Sequence, residues 1–244
     1  MSEKSSNSKF WGLFTLAFAI VISSLILAYG LGNIKDKGES ITVKGYAEMT
    51  LRSDLTVWNI SINARELTLA ASFEKLKAIK SRLIDFLIQN GIQTKMIGET
   101  SLSNNTLYNY NSSGNPVDVK GFDMSQSLVI TSKDIDQILD LSLRINDLLA
   151  EGLEFNSNPP EFYISDIGKY KVKMLGEALK DAQVRAKEIA KSVGNNIGGI
   201  RYARQGIFQI TPLNSTEVSD WGMNDISSVE KSIKSVVDAS FYIK

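Results

Sequence analysis

The chain has 244 residues, with 27 Lys plus Arg against 27 Asp plus Glu, and it contains neither histidine nor cysteine. A balanced charge with no basic run offers no field for nucleic acid. Without cysteine there is no disulfide, thiolate nucleophile or sulfur-ligated metal, and without histidine there is no Ser-His-Asp triad or H-E-x-x-H zinc site.

Residues 1–9 form a short polar tail carrying Lys4 and Lys9. The run that follows opens on Phe10, closes on Leu31 and holds no charged side chain over 22 residues, FWGLFTLAFAIVISSLILAYGL. As a helix it would measure about 33 Å, enough to cross a hydrocarbon core of about 30 Å. A secretory signal would also have a basic start and a small-x-small site, which Ala28-Tyr29-Gly30 or Gly30-Leu31-Gly32 could supply. The length of the run, with Trp11 and Tyr29 near its ends, favours an uncleaved transmembrane anchor. A short basic head usually stays in the cytoplasm, so the rest of the protein is expected in the periplasm or outside the cell.

Residues 32–40 read as a polar linker before a domain at 41–244. From Ile41 the pattern alternates: Val43, Gly45, Ala47, Met49 and Leu51 share its face, and Thr42, Lys44, Tyr46, Glu48, Thr50 and Arg52 take the other, which predicts a half-buried strand. Ser53-Asp54 offers a turn, and Trp58, Ile60, Ile62 and Ala64 continue as a second strand. The period then lengthens to 3.6. Leu69, Phe73, Leu76, Ile79, Leu83 and Leu87 predict an amphipathic helix that Asn90-Gly91-Ile92 would close.

Strands are expected near 95–110 and 121–131, joined by the turn-rich stretch 111–116. A second helix begins after Asp134, with Ile135, Ile138, Leu139, Leu148 and Leu149 facing inward and Gly152 ending it. A short strand is expected near 161–165. The third helix carries Ala178, Ala182, Ala186 and Ala190 at four-residue intervals, a row of small side chains that lets a helix approach its neighbour closely, beside an Asp181–Arg185 pair. After a strand near 200–211 and a loop at 212–228, Ile233, Ser235, Val237, Ala239, Phe241 and Ile243 alternate to the last residues. The order reads ββαββαβαββ, an α+β domain with helices on one side of a mainly antiparallel sheet, behind one transmembrane helix.

No motif predicts a catalytic, cofactor or metal site. Gly194-Asn-Asn-Ile-Gly-Gly199 follows a helix instead of preceding one, so it reads as a cap and not a phosphate loop. Glu217, Asp220 and Asp225 fit no calcium-loop spacing. In the long 212–228 loop, Trp221 and Met223 are apolar residues in polar company and are candidate partner contacts. An enzyme would need carboxylates such as Asp54, Glu99 and Asp123 to converge in one pocket. A sensing ectodomain is the third class, and a nine-residue tail leaves it no output domain.

Several of these pieces together resemble the SIMPL-domain family, which includes bacterial periplasmic oxidative-stress defence proteins and periplasmic immunogenic proteins. They are ITVKGYAEMTLRSD at 41–54, QNGI at 89–92, GFDMSQSLVIT at 121–131, ALKDAQVRAKEIAKSVG at 178–194 and the closing strand. Ser53 stands where the family usually has proline, SNNTLYNY at 103–110 replaces a proline-tyrosine element, and Pro159-Pro160 is unusual. The resemblance implies an exported, self-associating domain without an established catalytic motif, with ring or channel-like homo-oligomers in some members. The reading is therefore a non-enzymatic, membrane-anchored assembly or binding module of the cell envelope, homo-oligomeric, without cofactor, and linked through that resemblance to stress defence.

Overall fold

The computed structural model describes the backbone of residues 4–35, 39–217 and 219–244, and side chains at 11, 14–29, 39–217 and 219–244. The expected tail at 1–9 and linker at 32–40 fall largely outside the described side chains. Helix α1 (Lys4–Lys35) is continuous over 32 residues. Its described side chains, among them Phe14, Phe18, Leu25 and Ile26, are exposed on all sides. Among the described residues no helix is long and apolar enough to cross a membrane.

The remainder folds as two antiparallel sheets, each with helices on one face. Sheet A has β10 (Glu230–Ile243) at its centre, β1 (Ser40–Arg52) on one side, and β8 (Ile197–Gln205) and β9 (Gln209–Pro212) on the other. Sheet B has β5 (Pro116–Ser132) paired with β2 (Leu55–Glu66) on one side and with β3 (Ile97–Glu99) and β4 (Ser103–Tyr110) on the other; β6 (Phe155–Ser157) and β7 (Glu161–Tyr163) lie outside β2. Helices α2 (Leu69–Gln89) and α3 (Ile135–Arg144) cover sheet B, and α4 (Ile167–Ser192) covers sheet A.

Antiparallel sheets in an α+β protein are what the alternation predicts, but the single sheet is corrected to two. The cause is the turn at Ser53-Asp54: β1 pairs with β10 from Ser40↔Tyr242 to Arg52↔Glu230, while β2 leaves for β5. The stretches expected as single strands near 95–110 and 200–211 each break in two. The first holds a short 3₁₀ turn at Thr94–Met96 before β3, and β6 adds a further short strand before β7.

The helices follow their periodicity with local exceptions. Thr68 caps α2 by accepting from the Ala71 amide at 3.2 Å. Leu76, Ile79, Leu83 and Leu87 are buried, but Leu69 and Phe73 are exposed. Ser72 takes the inward place in that first turn, its hydroxyl donating to the Phe122 carbonyl at 2.9 Å. At the other end Gly91 adopts φ +91°, and the Ile92 amide reaches back to the Leu87 carbonyl at 3.0 Å while Ile92 itself is buried. After α3 the backbone tightens into a 3₁₀ helix at Ile145–Glu151, which keeps Leu148 inside and turns Leu149 outward, against expectation.

On α4 the alanine row faces the sheet: Ala178, Ala182, Ala186 and Ala190 are all 0% exposed. Opposite them stands Gly45 of β1. A Cβ at Gly45 would lie 2.0 Å from the Ala178 carbonyl oxygen and 2.7 Å from the Ala182 Cβ, so only glycine admits the helix this close. Asp181, expected only to pair with Arg185, also accepts the Tyr46 backbone N–H at 2.8 Å, satisfying a donor of edge strand β1.

Candidate functional site

The two sheets meet at a seam where β1 passes into β2 and β7 passes into α4. Asp54 holds these crossings together: its carboxylate accepts from the Ser165 backbone N–H at 2.7 Å and from the Ser165 hydroxyl at 2.6 Å, and its own N–H donates to the Tyr163 carbonyl at 3.0 Å. The Ser165 bonds keep the Asp54 carboxyl below the usual carboxylate range.

The described residues of the loop expected at 212–228 are strapped along β9. Gln209 accepts from the Met223 amide at 2.7 Å and donates to the Ser219 carbonyl at 2.6 Å, while Ile210 exchanges backbone bonds with Met223 and Asp225. The Phe162 amide donates to the Ile226 carbonyl at 2.7 Å, and the Ser53 amide to the Val229 carbonyl at 2.9 Å. This strap closes the seam on one side and leaves a cleft of about 410 Å³. Phe162, Tyr163 and Ile164 come from the end of sheet B, Ile167 and Lys171 from the start of α4, Phe208 and Ile210 from the β9 region, and Trp221 to Asp225 from the strap.

Both candidate contact residues line this cleft. Met223 is half-buried in its wall, whereas Trp221 is 95% exposed at the rim. Beneath them lies a group that the strand pattern could have revealed: Lys231 occupies the inward parity of β10 two residues before Ile233, and it is 1% exposed. Its ammonium donates to the Asp225 carbonyl at 2.5 Å and lies 3.4 Å from the Asp225 carboxylate. Burial pushes the Lys231 ammonium below its ordinary value. Burial also pushes the Asp225 carboxyl up, but hydrogen bonds from Ser227 and Ser228, with the charge of Lys231, outweigh it and leave the group acidic.

The carboxylates from which an enzyme's pair was expected, Asp54, Glu99 and Asp123, are held by separate partners. Asp54 is bound by Ser165, Glu99 by Lys80 at 2.7 Å, and Asp123 by Arg65 at 3.1 Å. Asp225 is engaged as described, and among the described residues no group of three or more acidic side chains is placed to hold a metal ion. Residues 194–199 close α4 and lead into β8, the Asn195 amide bonding the Ala190 carbonyl at 2.9 Å. At the β4–β5 hairpin Tyr108 sits opposite Val119, and the Asn111 side chain accepts from the amides of Ser113 and Asn115 within the turn.

A family model described as SIMPL, a protein of unknown function (DUF541), matches residues 41–241, which takes in both sheets, the strap and the cleft. The chain belongs to the SIMPL family. No curated protein matches it. Within this SIMPL domain, the alanine helix and the opening strand that carry the resemblance are packed against each other at Gly45.

Proposed function

We propose that this SIMPL-domain protein is a membrane-anchored component of the cell envelope that recognises and assembles instead of catalysing. Its N-terminus is cytoplasmic, its 41–244 domain is periplasmic or extracellular, and the junction cleft is its recognition site. The observation that carries the reading is a solvent-bare indole, Trp221, over a cleft walled by Phe162, Phe208 and Met223. Exposed aromatics beside an apolar pocket at a junction between layers are the usual anatomy of a recognition site. The outward apolar side chains along α1 support an anchor, since a helix apolar all round needs lipid or protein around it. Among the described residues the outer edges of β4 and β8 carry no further strand, and this supports self-association through the domain. The link to stress defence rests on family resemblance alone.

Ligand-observed NMR of apolar fragments against the full-length protein in lipid nanodiscs tests the cleft. Fragments that bind wild type should lose binding in Trp221→Ala and Phe208→Ala; binding indifferent to both changes removes the cleft as the recognition site. For the anchor, mass spectrometry of the native membrane protein should recover the N-terminal peptide, and a mature N-terminus near residue 31 or 33 would refute it. Crosslinking in membranes should give concentration-dependent homo-oligomers, and strictly monomeric behaviour would refute assembly.

A further inference from the structure

The charge inside the cleft is uneven. Among the described residues Asp225 is the one carboxylate lining it, and Lys231 already neutralises that group, whereas Lys171 lines the same cleft with no carboxylate partner. Lys171 is exposed and holds its ammonium 5.9 Å from the centre of the Phe208 ring, at the wall of the cleft. Lys231 adds a second cationic feature. An ammonium has three donors, and the Asp225 carbonyl and carboxylate account for two of them; among the described residues no other acceptor engages it. The first turn of α4 also lines the cleft through Ile167. Of the acidic groups around the seam, Asp54 is spent on Ser165 and Glu161 accepts from the Tyr163 hydroxyl at 2.5 Å.

The walls set the other half of the specification. Phe162, Ile164, Ile167, Phe208, Trp221 and Met223 present apolar and aromatic surface, which takes a hydrophobic body. Aromatic walls can also hold a cation, but here Lys171 already occupies the ring of Phe208, and a second cation would meet its uncompensated charge. We propose that the cleft binds an apolar monocarboxylate, its body between Trp221 and Phe208 and its carboxylate toward Lys171 and the remaining donor of Lys231. This rests on the reading of the cleft as the recognition site and adds the chemical class of its ligand.

The test compares one aromatic body with three head groups. Phenylacetate, 2-phenylethanol and phenethylamine are titrated by ligand-observed NMR into the full-length protein in nanodiscs, with protein-free discs as the blank. Phenylacetate should bind at least about tenfold more tightly than the alcohol, the margin expected of a hydrogen bond to a charged group, and the amine should not bind. Lys171→Met, at an exposed position, should abolish the preference for the acid over the alcohol while leaving the melting temperature unchanged. An acetylated tripeptide ending in phenylalanine asks whether the carboxylate belongs to a small free acid or to the C-terminus of a peptide: stronger binding than phenylacetate assigns the latter, weaker binding the former. Acid and alcohol affinities within about twofold of each other, or a preference that survives Lys171→Met, overturn the proposal. If both probes bind alike yet lose binding in Trp221→Ala, the recognition site stands and only its charge class fails. If none binds, the site and its ligand class fail together.

Discussion

Between sheet B and its helices lie large side chains: Trp58, Ile60 and Ile62 of β2 and Leu128 and Ile130 of β5 meet Leu76, Ile79, Leu83 and Leu87 of α2. Between sheet A and α4 lie small ones, with Ala178, Ala182 and Ala186 against Gly45, Ala47 and Ala239. Both are helices laid on antiparallel sheets, yet one is held by interdigitated bulk and the other by close approach of backbones. The two designs fail in opposite directions: the first is damaged by removing atoms, the second by adding them.

The largest expected effect breaks sheet A outright. Deleting residues 236–244 removes most of the strand that pairs with both β1 and β8 and takes Val237, Ala239 and Phe241 from the core, so the truncated protein should lose cooperative unfolding in urea. A cooperatively folded, monomeric truncation would show that sheet A is dispensable. Next in size, Trp58→Ala should cost about 3–5 kcal/mol, because it empties a fully buried site and orphans the Ser157 hydroxyl that accepts from the indole at 3.1 Å.

The mirror-image changes in sheet A add atoms. Ala182→Leu should cost about 1–3 kcal/mol by overpacking, and Gly45→Ala should reach the top of that range, since one methyl group would meet a helix carbonyl at 2.0 Å. Urea midpoints unchanged in both variants would mean that α4 stands further from β1. The smallest effect lies at the seam between the halves. Asp54 has its pKa lowered in the fold, so its contribution to stability is present above the unfolded value of about 3.9 and is lost as pH falls through the folded value. Below about pH 4 the melting temperature of wild type should therefore fall faster than that of Asp54→Asn. Parallel curves would show that the Ser165 bonds carry no weight.

The two designs also differ in how well they can be read from sequence. Alternation exposed β1, β2 and β10, and four alanines in register announced that α4 would sit close to something. What they sat close to was not legible, because the partner of Ala178 and Ala182 is Gly45, far away in sequence, and pairing between distant strands leaves no local periodic trace. For the same reason the pattern suggested one sheet. In α2 the stripe was right from Leu76 onward and wrong in its first turn, where a hydroxyl that bonds the Phe122 carbonyl displaced Leu69 and Phe73 from the interior. Trp221 and Met223 could be singled out as apolar residues in a polar loop, but the cleft they line draws on both sheets and on α4. Lys231 was readable as a charge on the inward parity of a strand, and its partner Asp225 lies only six residues earlier.

The pairing of β1 with β10 joins the first strand of the domain to its last. Sheet B is complete once residue 163 exists, with every partner lying between 55 and 163. Sheet A cannot begin to close until β10 has emerged, so β1 must wait unpaired, with its edge open, while the whole of sheet B and α4 are made. Contacts this distant in sequence form slowly. Folding should thus proceed outward from the middle of the sequence, leaving the alanine helix to dock last, and the cleft at the seam comes into being only at that final step.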